Sequence, residues 1–339
     1  MTGKNLLMTL GTIDEAFYEE AEKPIPSRRR RIAIAVLVAA LLLLAGCSYA
    51  VLTQAQWFQG FFGRLNGQPL SQGQKTTYIE ENVQPIGGQS VTVGHYRLTL
   101  ESALAEERTA CIRLRLEGPG LREMYSVGFL PRPLADGTGK EAVFFRKGRT
   151  AQEESPYTQG LCSSVSEGDS VSILLWLEQS LSSETPFEAG VPYILHLTDL
   201  EANPFGEPVK RLQEGEWDFE VVFDHLSREQ MELLTEPVTT VSQDYPGVSL
   251  TLTSWKLRAL GMDVEFEPGS QDYLGRGCLE DAFVVLKDGT RVGAYPLFYD
   301  PNGSATYTLD CPIDIREADY VRLRDGTCLP VPEVQGTSD

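Results

Sequence analysis

The strongest constraint on this chain is the uncharged apolar run from Ile32 to Leu52, IAIAVLVAALLLLAGCSYAVL. It has the length a helix needs to cross the hydrocarbon core, and a soluble helix apolar on every side would be unusual. Arg28, Arg29, Arg30 and Arg31 precede it directly, and Trp57, Phe58, Phe61 and Phe62 follow it. Basic residues stay on the cytoplasmic side and aromatic rings favour the interface. The expectation is a single-pass protein of the cell membrane, with residues 1–31 cytoplasmic and everything after residue 53 extracellular.

A second reading competes at the same place. Leu44-Ala45-Gly46-Cys47 matches the pattern at which bacterial lipoproteins are cleaved and lipidated on cysteine, which would make residues 1–46 a discarded signal peptide and Cys47 the anchor. Against it, the part before the apolar run is long and carries an acidic, helix-like pattern. Hydrophobicity also continues past the cysteine through Val51 and Leu52. The uncleaved transmembrane helix, residues 32–52, is the preferred reading.

With 339 residues, the chain beyond the membrane run has room for two domains. Of the formal net charge of −19, residues 1–31 contribute +1, so the remainder carries −20. Such a surface repels nucleic acid and anionic headgroups, and speaks to solubility more than to chemistry. Beyond Cys47 lie Cys111, Cys162, Cys278, Cys311 and Cys328, an odd number whose spacing fits no zinc site. A disulfide among the last three and free structural thiols are both open at this level.

In the cytoplasmic segment, Leu6, Leu10, Ile13 and Phe17 recur at helical spacing, and Thr12 with Glu15 forms a capping-box pair. Pro24 and Pro26 end the pattern before the arginines. So short a helix is marginal alone and needs a partner for its apolar face. It reads either as a membrane-surface helix or as a docking helix whose Glu19, Glu20 and Glu22 suit a basic regulator.

Residues 53–88 read as a polar stalk. Period-two alternation then begins: Ala110, Ile112, Leu114 and Leu116 face one way, as do Trp217, Phe219, Val221 and Phe223. Further strands are expected at Tyr96–Leu100, Val171–Leu177 and Tyr193–Leu200. Ser227 with Gln230 predicts a short helix over about Arg228–Leu234. A second β pattern runs from Val248, punctuated by the hairpin signals Asp288-Gly289, Asn302-Gly303 and Asp325-Gly326. The fold class expected is mainly β, with two β-sandwich-like, Ig-like extracellular domains. They span residues 89–226 and 246–333, joined by a helix and linker at 227–245 and followed by a tail at 334–339.

No catalytic, cofactor-binding or metal site emerges. His95, His196 and His225 belong to no metal-binding pattern, and there is no nucleophile elbow, phosphate loop or dinucleotide fingerprint. Asp300, Asn302 and Asp310 surround a glycine turn but lack the later glutamate of a calcium loop, which favours a plain hairpin. The carboxylate pairs Glu106-Glu107 and Glu153-Glu154 read as solvated loop residues. The expectation is a non-enzyme without cofactors.

Three stretches carry a resemblance: Leu10 to Ala21 (LGTIDEAFYEEA), Tyr78 to Ile86 (YIEENVQPI) and Leu98 to Thr109 (LTLESALAEERT). Together they resemble a Gram-positive family with a short N-terminal I-D-E-x-[FY]-[IVY]-E-E-A helix, one membrane helix and an extracellular domain of unknown function, often regarded as anti-sigma-factor-like. The resemblance implies a cytoplasmic sigma factor or other regulator as partner, held through Ile13, Asp14, Glu15, Phe17, Glu19 and Glu20. The functional expectation is therefore a membrane-anchored regulator or sensor. The alternative is a lipoprotein-type surface binding module with no cytoplasmic role, and the extracellular ligand is left open.

Overall fold

Alternating apolar and polar residues make strands of most of the chain that can be placed. The computed structural model describes residues 53–63, 70, 77–86, 88–129, 144–148, 159–167, 169–179, 186–204, 210–267, 277–300 and 302–332. The N-terminal segment with Ile13, Asp14, Glu15, Phe17, Glu19 and Glu20, the apolar run and Cys47 lie outside these residues. No helix among the described residues is long and apolar enough to cross a membrane.

Two antiparallel sheets come first. Their strands are β1 (Gln84–Pro85), β2 (Ser90–Val93), β3 (Tyr96–Ala105), β4 (Thr109–Glu117), β5 (Met124–Phe129), β6 (Phe144–Arg146), β7 (Gln159–Glu167), β8 (Ser170–Glu178), β9 (Pro192–Pro204) and β10 (Lys210–Val222). The larger sheet runs β1-β3-β4-β8-β7 with β2 on β3, and the smaller runs β10-β9-β5 with β6 on β9. Their facing residues share one core: Leu98, Ile112, Leu114, Ile173 and Leu175 from the larger sheet meet Leu195, Leu197, Trp217, Phe219 and Val221 from the smaller. This is a two-layer β unit at the place expected. Taken in chain order as A to G, β3, β4, β5, β7, β8, β9 and β10 form the sheets ABED (β3-β4-β8-β7) and GFC (β10-β9-β5), which is the strand order the Ig-like expectation requires of this unit, with β1 and β2 added on β3.

The third sheet corrects the second expected sandwich. β11 (Gln230–Glu232), β12 (Val238–Val241), β13 (Ser249–Arg258), β14 (Gly261–Phe266), β15 (Ala282–Leu286), β16 (Arg291–Asp300), β17 (Ser304–Leu309), β18 (Ala318–Arg322) and β19 (Cys328–Pro330) form one nine-stranded sheet among the described residues. It curls into a half-barrel. The Asp325 carboxylate, in the turn after β18, accepts hydrogen bonds from Thr240 Oγ1 at 2.8 Å and the Val241 amide at 3.1 Å, so the β12 end of the sheet reaches the β18–β19 end. Trp255, Leu257, Met262, Val264, Val284, Tyr307 and Val321 fill the inside. This interior is continuous with Phe58, Phe61, Phe62 and Ile79 and with Leu104, Leu174 and Trp176 of the larger sheet, which supply its second layer in place of a second sheet of its own. The turns Asp288-Gly289, Asn302-Gly303 and Asp325-Gly326 close its hairpins as expected. Gly289 and Gly326 have φ of 83° and 95°, which a residue with a Cβ seldom adopts.

Two local expectations fail. Arg228–Leu234 is not helical: β11 pairs with β13, Met231 opposite Leu257, and Ser227 makes a parallel bridge to Glu106. The Ser227 amide donates to the Ala105 carbonyl, and the Glu232 carboxylate accepts from the Trp255 amide. Pairing of the backbone with distant strands overrides the local capping signal.

The expected stalk is also structured. Residues 53–63 form a helix, α1, and Thr77–Asn82 form another, α2. Phe58, Phe61 and Phe62 of α1 and Ile79 of α2 are fully buried, in a core continuous with Leu104, Cys111, Leu174 and Trp176 on the outer face of the larger sheet. The larger sheet is thus covered on both sides, and β8 is buried along its whole length. That is why its sequence, SVSILLWLE, reads as a run rather than as alternation.

Because α1 is part of the core, Phe61→Ala is expected to lower unfolding stability by about 3–5 kcal/mol. Urea unfolding followed by tryptophan fluorescence checks this; a free stalk would leave the midpoint unchanged.

Candidate functional site

The most unusual chemistry lies where the two-layer unit meets the half-barrel. Arg258, the last residue of β13, is buried, and all five of its N–H donors are engaged. Nε and Nη2 bind Asp263 of β14 in a fork, at 3.1 and 2.9 Å. Nη2 also reaches Glu178 Oε1 at the end of β8, at 3.0 Å. Nη1 reaches Glu106 Oε2, just past β3, at 2.8 Å, and Thr109 Oγ1 at the start of β4, at 2.6 Å. Five donors in a rigid plane suit such a cluster; lysine offers three.

The carboxylates are satisfied in turn. Glu106 Oε1 accepts from the Leu260 amide at 3.2 Å and from Tyr78 Oη of α2 at 3.3 Å, and Glu178 Oε2 accepts from Thr109 Oγ1 at 2.8 Å. Glu106 and Glu178 are 2% and 0% exposed, so their carboxylates are closed off from bulk solvent. Desolvation outweighs the pull of Arg258 at both: burial raises the Glu106 carboxyl and pushes Glu178 up to about 8. Burial, with the Glu106 carboxylate adding to it, also holds the Tyr78 hydroxyl well above its ordinary range, and burial does the same for the Cys111 thiol beside it.

A second polar cluster lies on the outer face of the larger sheet, under α1. Arg113 of β4 stacks over the Trp57 ring at 4.0 Å, pairs with Glu101 at 2.9 Å, and donates from Nη1 to Gln54 Oε1 at 2.8 Å. Trp57 Nε1 donates to Glu167 Oε1 at 2.7 Å, Ser102 donates to Gln54 Oε1 at 2.9 Å, and the Phe62 ring meets Trp176 edge-on at 6.1 Å. These contacts tie α1 to four strands at once, β3, β4, β7 and β8.

The residues singled out in the sequence fall elsewhere. His95 and His225 are exposed, and His196 pairs across β9 and β10 with Asp218, Nδ1 to Oδ1 2.6 Å, on the surface. Asp300 accepts from the amide and side chain of Asn302, as a hairpin turn requires. Asp310 instead accepts from the Gly293 amide. No group of metal-ligating side chains occurs among the described residues. Cys111, Cys278 and Cys328 are free thiols, the first two buried, and Cys311 is buried in the half-barrel core. The solvated reading of Glu106-Glu107 fails at its first member: Glu107 is exposed and pairs with Arg228, while Glu106 is buried under Arg258. The one signal for this was period two, since Glu106 continues the strand of Leu104 and Ala105 rather than opening a loop.

No family model matches this chain. No curated protein matches it either. Among solved structures it is similar to the conserved domain protein from Bacillus anthracis, at 11% identity over 74% of this chain and 78% of that one, with a TM-score of 0.46. A DUF4426 family protein from Pseudomonas aeruginosa is 12% identical, over 40% of this chain and 99% of that one, with a TM-score of 0.19. The N-terminal periplasmic domain of ScsB from Proteus mirabilis is 9% identical, over 74% and 100%, with a TM-score of 0.20. At these scores none of the three carries a function across.

Removing the single cation leaves three buried carboxylates facing one another. Arg258→Met is therefore expected to destabilise the protein by about 3–5 kcal/mol. Denaturant unfolding at neutral pH measures this, and a loss below about 1 kcal/mol, typical of an exposed ion pair, would contradict it.

Proposed function

We propose that this chain is a membrane-anchored regulator or sensor, anti-sigma-factor-like, whose β body lies outside the cell and whose N-terminal segment holds a cytoplasmic transcription regulator. The observation that carries the reading is the docking of α1. Thr53 follows Leu52 directly in sequence, so the segment leaving the apolar run enters a helix locked to the body by Phe58, Phe61, Phe62, Trp57 and Gln54. Coupling between sites requires an element whose arrangement both can bias, and α1 is the described element next to the apolar run in sequence. A simple anchor has no such need. The family resemblance at Ile13, Asp14, Glu15, Phe17, Glu19 and Glu20 names the class of partner, and the acidic side chains suit a basic one. The proposal assigns no catalysis.

The intact mass of the protein purified from its own membrane tests the reading first. It is expected to include residues 1–46; a chain beginning at an acylated Cys47 would end the proposal and leave a surface-anchored binding module. Coupling is tested in the same preparation. Trp57→Ala, which removes the ring between Arg113 and Glu167, is expected to change capture of an extracytoplasmic-function sigma factor by at least about fivefold. Unchanged capture would mean that α1 transmits nothing.

A further inference from the structure

Arg258, Glu106, Glu178 and Asp263 meet where the larger sheet packs against the half-barrel, beside an apolar core that the two share. Glu106 and Glu178 close the ends of β3 and β8 in the larger sheet, whereas Arg258 and Asp263 face each other across the β13–β14 hairpin of the half-barrel. Thr109 and Cys111 of β4 and Tyr78 of α2 complete the surroundings. Three carboxylates face one guanidinium in a place closed to bulk solvent. Fully ionised, the cluster carries net negative charge where charge is least tolerated, and that repulsion falls on the contacts that join the units.

We propose that the seam between the two-layer unit and the half-barrel is a proton-controlled joint, closed while the carboxylate cluster holds one proton and loosened when that proton leaves. Glu178 is the group that carries it. It is the most deeply buried of the three, and its folded value of about 8 lies above the ordinary 4.5. A carboxyl raised on folding contributes stability that is fully present below the ordinary value and lost as pH rises through the folded one. The joint is therefore tight in acid and loosens between about pH 5 and 8, the opposite of a carboxylate held by an exposed ion pair. Thr109 Oγ1 donates to Glu178 Oε2 at 2.8 Å and accepts from Arg258 Nη1 at 2.6 Å, so it links the carboxyl to the guanidinium. The inference concerns the β body alone and is independent of whether residues 1–31 signal.

The protein carries its own reporters. Cys111 is buried against the seam beside Glu106 and Glu178, Cys278 and Cys311 are buried in the half-barrel core, and Cys328 is exposed. Pulse alkylation of the full-length protein in detergent, at pH 6.5 and 8.5, reads each cysteine by peptide mass spectrometry. Rates are divided by that of Cys328 to correct for thiolate chemistry.

For one proton lost per opening, labelling of Cys111 is expected to rise roughly 30-fold over this interval. Cys278 and Cys311 should stay protected. Glu178→Gln, which fixes the neutral form, is expected to keep Cys111 protected at both pH values. A Cys111 rate that does not change in the wild type overturns the proposal. So does a parallel rise at Cys278 and Cys311, which would mean whole-body unfolding, or a Glu178→Gln protein with the wild-type pH response. If Glu178→Gln fails to fold, exposure of Cys278 and Cys311 at pH 6.5 reports it, and the wild-type pair of measurements decides alone.

Discussion

One guanidinium sets the relation between the parts of this protein. Arg258 reaches two ends of the larger sheet and its own hairpin partner at the same time, through donors lying in a single plane. A shift of β13 by one residue would turn Arg258 into the apolar interior of the half-barrel and put Leu257 against the carboxylates. The cluster therefore selects one register and one docking of the half-barrel, whatever its net contribution to stability. Buried ion clusters often add little stability over apolar packing of the same volume, so specificity is the more natural reason for this one.

The second organising feature is that the larger sheet has no free face. The smaller sheet covers one side with Trp217, Phe219 and Val221, and α1 covers the other with Phe58, Phe61 and Phe62. The polar residues left beneath α1 are matched rather than excluded. Arg113 lies between Trp57, Glu101 and Gln54, and Ser172 donates to Glu167 at 2.8 Å. A helix held by both rings and directed hydrogen bonds has a defined rotation about its own axis, which a purely greasy contact would leave loose. Thr53, the first residue of this helix, follows Leu52 of the apolar run in sequence.

The two clusters lie on the same sheet. Arg113 and Thr109 share β4, and Cys111 stands between them in sequence, facing the core that α1 enters. A loosening at the Arg258 seam thus acts on the strand that also holds α1. The carboxylate cluster and the docked helix are separate observations, but β4 gives them a shared structural element.

What the sequence determined by itself was local and periodic. The apolar run, the alternation in β4, β10 and β13, and the glycine turns at Gly289, Gly303 and Gly326 are legible because each depends on near neighbours and a short repeat. The mainly β class followed from them. What only the tertiary structure decided was the use made of ambiguous residues. Leu174 and Trp176 belong to a strand buried on both faces, Ser227 and Gln230 join strands rather than capping a helix, and the aromatic stretch after the apolar run packs into a core. Glu106, Glu178, Arg258 and Asp263 were invisible as a group, since they come from four strands spread over more than 150 positions, with Glu106 152 residues from Arg258. A charged side chain looks the same in sequence whether solvated or buried; its burial depends on which distant strand arrives beside it, and that is settled only when the whole chain has packed.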